Sequence, residues 1–142
     1  MEDLGLSYTA IAVATLASFF IGFLWYSVLF RNAWAKEMGM KMDQRPTPGM
    51  LVGSLIMNLV GCFLLAFVFA HNTAAWSFVP GIDKMGTGAM IANAAIFTWL
   101  GFFVPVDINT VAWEGKSWKL FFINTSYHFA MVLVAAIILH ML

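Results

Sequence analysis

Charge is scarce in this chain. Asp, Glu, Lys and Arg make up 10% of its 142 residues, against about 25% in an ordinary soluble domain, and none of them falls near the middle of a long apolar run. Water is therefore not the solvent of most of this sequence. The net charge is zero, which excludes a strongly basic nucleic-acid surface. There is a single cysteine, so no internal disulfide forms, and Cys62 lies in mid-run, where a small buried apolar residue is expected. No paired carboxylates, Ser-His-Asp set, phosphate loop or nucleophilic cysteine motif occurs, so catalysis is not expected. A metal site is not expected either, because His71, His140 and Asp83 have none of the close spacing of zinc ligands. No cofactor is implied.

What is present is apolar length. Hydrophobic residues make up 62% of the chain and its mean hydropathy is +0.87. Four runs, Tyr8–Phe30, Gly49–Ala70, Gly88–Pro105 and Trp118–Met141, each approach or exceed the roughly 20 residues that carry a helix across a bilayer. A β-barrel would need many shorter alternating segments, which are absent. The expected fold is all-α: one integral membrane bundle of four transmembrane helices, with little chain left for a soluble domain. Met1-Glu2-Asp3 lacks the positive start of a signal peptide and the first run is long, so the first helix is expected to be retained.

Charge between the runs orients the bundle. Arg31, Lys36, Lys41, Arg45, Lys116 and Lys119 lie on one side and Lys84 alone on the other, so the positive-inside rule puts both termini on the non-cytoplasmic side. The acidic start agrees. Thr47-Pro48-Gly49 predicts an N-cap followed by proline at the first helical position, and Thr87 is expected to cap helix three. Pro80-Gly81 marks a turn, and Pro105 is expected to end or kink helix three. Ala33–Met42, with Trp34 and three methionines among charges, suggests a short helix continuing helix one along the membrane surface.

Small residues recur at packing intervals. Ala10, Ala14, Ser18 and Gly22 repeat every four positions in helix one, and helix two carries Gly49, Gly53 and Gly61. Such stripes let helix backbones approach in lipid, within one chain or between chains. Gly22-Phe23 to Ala33-Trp34 and Gly101-Phe102 to Ala112-Trp113 share their spacing, which points to two parallel helix-pair repeats.

The polar residues within the runs are few. Asn124, Tyr127 and His128 share one face of helix four, and Asn58 and Asn93 lie near the middle of helices two and three. Polar groups at that depth need partners, so a buried cluster of these five is expected. It would serve either as hydrogen-bonded glue or as a polar path with His128 as proton acceptor. Asp107 and Glu114 are expected at a cytoplasmic entrance, with solvated loop charges as the plainer reading. Trp99 among phenylalanines suits either helix packing or a flat ligand.

Trp99-Leu-Gly-Phe-Phe-Val-Pro105, Glu114-Gly-Lys-Ser-Trp-Lys-Leu-Phe-Phe-Ile-Asn124 and Tyr127-His128, together with Gly22-Phe-Leu-Trp-Tyr26, Leu29-Phe30 and Trp34, resemble the bacterial membrane family catalogued as domain of unknown function 1761. The resemblance spans essentially the whole chain and implies four helices and no particular activity. Asp107-Ile-Asn109 departs from it by placing a carboxylate where apolar or small hydroxyl residues are expected. Two roles follow as expectations. One is an accessory or scaffold-like protein of the bacterial inner membrane, acting by association with itself or a larger complex. The other is a minimal homo-oligomeric transporter or channel with a midplane Asn/His layer. Membrane lipid is the partner common to both.

Overall fold

The computed structural model describes residues 4–41 and 43–142; Glu2, Asp3 and Met42, which entered the orientation and surface-helix arguments, lie outside the described residues. Among the described residues there is no strand. Helix α1 covers Tyr8–Leu29, α2 Arg31–Glu37, α3 Pro48–Trp76, α4 Thr87–Ala112 and α5 Trp118–Met141. Four of these, α1, α3, α4 and α5, are long and apolar enough to cross a membrane. At 22 to 29 residues they reach about 33 to 44 Å, enough to span a hydrocarbon core about 30 Å thick with some tilt. The loops after α1 and α4 share the basic end of the bundle; the start of α1, the end of α5 and the α3–α4 loop share the opposite end.

Local chemistry sets most boundaries. Ser7, Thr47 and Ser117 each accept a hydrogen bond from a backbone N–H of the first turn, starting α1, α3 and α5. Ser117 also donates to the Glu37 carboxylate of α2, tying the cap of α5 to the α1–α3 connection. Ser117→Ala therefore removes a cap and an inter-element bond together. We expect a loss of about 1 to 2 kcal/mol in denaturant unfolding, and Ser117→Thr should restore most of it.

Helices α1 and α5 are the inner pair. They bury 28% and 39% of their most apolar stretches, against 11% for α3 and 6% for α4. Helix α3 packs on α1, and α4 on α5, but α3 and α4 hardly touch. Toward the terminal end the four spans converge on Ala14, Ala66, Ala95, Ala135 and Ala136, whose small side chains allow the close backbone approach on which packing in lipid depends. The α1 stripe lies wholly inside: Ala10, Ala14, Ser18 and Gly22 are all buried. The α3 glycines do not share that role, for a Cβ at Gly49, Gly53 or Gly61 would meet nothing within 4 Å.

Several expectations change. Helix α3 runs past Ala70 to Trp76, because no breaker interrupts it before Pro80; His71 and Ser77 satisfy themselves on carbonyls of their own helix. Thr87 is the first residue of α4 and Gly86 occupies the cap position, with no side-chain cap bond. The surface helix is only Arg31–Glu37, set off from α1 by a break at Phe30, and it ends at Gly39, whose φ of 69° favours glycine. The spacing shared by the two halves of the chain has only a partial counterpart in the packing: α1 packs on α3 and α4 on α5, but the contacts between the halves are not alike. A parallel repeat would set α4 against α3 as α1 sits against α5, and those outer helices stand apart.

Pro105 does not end its helix. Trp99–Phe103 forms one wide turn, closed by the Val104 N–H donating to the Trp99 carbonyl. This π-type turn lets the helix restart with Pro105 in its first turn, where a missing N–H costs little. Helix α4 thereby continues to Ala112 and carries Asp107 inside the bundle.

Candidate functional site

A second π-type turn, Trp25–Leu29, lies in α1. The two wide turns face α5 from either side. Trp25 Nε1 donates to the Ile123 carbonyl at 3.0 Å and Trp99 Nε1 to the Thr125 carbonyl at 2.8 Å, so two indoles seek α5 carbonyls two residues apart. Such wide turns re-aim side chains. Here they place the aromatic and charged groups of α1 and α4 around the middle of α5.

On the α1 side, Tyr26 Oη donates to Asn124 Oδ1 at 3.0 Å, and the rings of Tyr26 and Tyr127 meet edge to face at 5.0 Å. Tyr127 is buried and its hydroxyl turns toward Met131 Sδ at 3.4 Å. Gly22 makes room for it: a Cβ there would lie 3.0 Å from Tyr127 Oη. On the α4 side, His128 Nδ1 is 2.8 Å from Asp107 Oδ2. Asp107 is 5% exposed at its side chain and His128 24%, so the carboxylate is enclosed while the imidazole keeps one edge free. Phe103 lies against the imidazole, ring centres 4.9 Å apart. With Asp107 ionised, His128 Nδ1–H donates to it whether the ring is neutral or protonated; Nε2 is then an acceptor in the first state and a donor in the second. The paired form carries no net charge when both groups are ionised, which makes it tolerable at low dielectric.

Of the five residues expected to cluster, the structure gathers three, Asn124, Tyr127 and His128, which follow one another along α5. Asn58 is exposed on α3, where its Oδ1 receives only the weak S–H of Cys62 at 3.8 Å. Asn93 is exposed on α4 and donates to the Ala89 carbonyl of its own helix. The expected entrance pair is parted as well: Asp107 is buried at His128, while Glu114 is exposed in the turn after α4. The groups that sequence reasoning did not assign here are Tyr26, Trp25 and Phe103. The wide turns that aim them leave no periodic signal.

Chemically the site consists of closed pairs. Tyr26 serves Asn124, Tyr127 serves Met131 and His128 serves Asp107, so the hydroxyls do not hand on to the imidazole. Each pair joins α5 to a neighbour or braces α5 itself. The arrangement can hold helices in register, and the His128–Asp107 contact can keep a proton.

Comparison with curated proteins and with solved structures found no significant match. The model of the family described as "Protein of unknown function (DUF1761)" matches residues 9–140, nearly the full length and every span just described, and the chain belongs to that family.

Proposed function

We propose that this protein acts by association inside the membrane, as an accessory or scaffold-like subunit, and that the open face of α3 is its associating surface. The observation that carries this reading is Asn58. From Pro48 to Val60 every residue of α3 except Gly53 is exposed, because the helix leaves the bundle toward the basic end. Apolar exposure of this kind costs nothing in lipid. Polar exposure does: the Asn58 amide N–H groups and the Ser54 hydroxyl find no protein partner among the described residues, and unsatisfied groups in hydrocarbon cost up to several kcal/mol each. Ser54, Asn58 and Gly61 stand at i, i+4 and i+7, one face combining hydrogen-bonding groups with a position where another backbone can approach.

A bacterial inner-membrane setting is what the family resemblance implies, and the charge distribution supports the basic end toward the cytoplasm. A homo-oligomer or a larger complex both fit, and catalysis has no part in this reading. The buried His128–Asp107 pair favours a second one, a minimal transporter, since intramembrane ionisable groups commonly mark pathways.

Asn58→Leu is the test. An interhelical hydrogen bond in a membrane is worth about 0.6 to 2 kcal/mol, so the association constant should fall roughly 3- to 30-fold, read as a shift from oligomer or complex to single chains by particle mass after gentle extraction. Val60→Leu, an apolar exchange on the same exposed helix, should leave association unchanged. An Asn58→Leu protein that stays fully assembled removes α3 from the role.

A further inference from the structure

Between the outer halves of α3 and α4 lies a crevice of about 770 Å³, within the range of about 300 to 1,000 Å³ typical of small-molecule sites. It is separate from the Asp107–His128 site, to which it contributes no lining residue. Its chemistry is graded along the membrane normal. Ser77, Asp83 and His140 lie at the mouth, at the terminal end of the bundle; Asn72 and Thr73 lie about one turn deeper; Phe97 and Phe102 line the depth.

Ser77 and Asn93 bond carbonyls of their own helices, but other polar groups of this crevice are left without partners. Thr73 Oγ1 is buried with no hydrogen bond. His140 commits Nδ1 to the Ala136 carbonyl, leaving Nε2. Asp83 has no ion-pair partner among the described residues, and no lysine or arginine lines the crevice. Lys84, next in the chain, is exposed just outside it. The mouth thus offers an exposed carboxylate with an ammonium next to it in the chain, above an enclosed hydroxyl and an aromatic floor.

We propose that this crevice binds a phospholipid with a zwitterionic, primary-ammonium head. Its ammonium meets Asp83, its phosphate lies toward Lys84, an ester carbonyl accepts from Thr73 Oγ1 once a χ1 turn brings that enclosed hydroxyl to the crevice wall, and an acyl chain runs down over Phe97 and Phe102. A free carboxylate disfavours anionic heads, and a quaternary ammonium has no N–H to donate. An acyl chain in the floor gains little over bulk lipid, so head recognition sets the preference.

The full chain, delipidated in detergent, is offered equal amounts of dioleoyl lipids with ethanolamine, choline or glycerol heads, and retained lipid is counted by intact-particle mass. Ethanolamine lipid should be retained about three- to tenfold over the other two, the range expected of one exposed charge-assisted contact. Asp83→Asn, in an exposed loop, should erase that preference while total lipid changes little. Thr73→Val should lower retention of all three together. Equal retention of the three heads, preference for glycerol, a preference that survives Asp83→Asn, or no retained lipid would each overturn the assignment.

Discussion

Asp107→Leu should be the most damaging single polar substitution in this protein, lowering its unfolding free energy in detergent by about 1 to 3 kcal/mol, the range for a buried hydrogen-bonding group left without its partner. The reason lies in what remains behind. Asp107 is enclosed by α4 and α5, and its loss leaves the His128 Nδ1–H, 2.8 Å from the missing oxygen, with no acceptor in a low-dielectric setting. Replacing both partners should hurt much less, because Asp107→Leu/His128→Leu leaves no orphaned donor and adds apolar contact with Phe103. Asp107→Asn keeps an acceptor for Nδ1–H and should fall between. A double variant as unstable as the single one would show that the pair is not the unit of stability. The same set bears on function. If the pair only latches α4 to α5, the double variant keeps its partners, whereas in a transporter it assembles and carries no flux.

Tyr127→Ala is expected to cost more, about 3 to 5 kcal/mol, through loss of a large buried ring and the cavity left behind. Tyr127→Phe should cost less than about 1 kcal/mol, since only the contact with Met131 Sδ is lost. Gly22 completes the argument, because its missing side chain is what admits the Tyr127 hydroxyl. Gly22→Leu alone overpacks this contact. In the Tyr127→Ala background it fills vacated space, so the two changes should couple by about 0.5 to 3 kcal/mol in a double-mutant cycle followed by thermal unfolding. Additive effects would mean that the α1–α5 contact adjusts freely around residue 22.

These expectations rest on features that were unequally legible in the sequence. The Thr47-Pro48 start of α3 and the turn at Pro80-Gly81 are local, and both appear as read, with Thr47 accepting from Met50 and Gly81 at a φ of 84°. Cys62 is buried as its position in mid-run implied. Pro105 shows where local reading stops. Proline ends a helix only if the preceding turn stays α-helical, and a single wide turn at Trp99–Phe103 removes the conflict. That turn moves Asp107 from an apparent loop into contact with His128, so this buried carboxylate is invisible to any window read along the chain.

The small-residue stripes make the same point differently. Ala10 to Gly22 and Gly49 to Gly61 look alike on paper, yet the first is buried and the second open. Apolar composition and the demand that every backbone group be satisfied in hydrocarbon were enough, in the sequence alone, to determine four spanning helices, their approximate limits and the charged end of the bundle. Which faces meet was decided only by tertiary structure. In lipid an apolar face gains nothing by turning inward, so the choice falls to shape and hydrogen bonds: Gly22 beneath Tyr127, two indoles on α5 carbonyls, and a carboxylate carried to an imidazole by one wide turn.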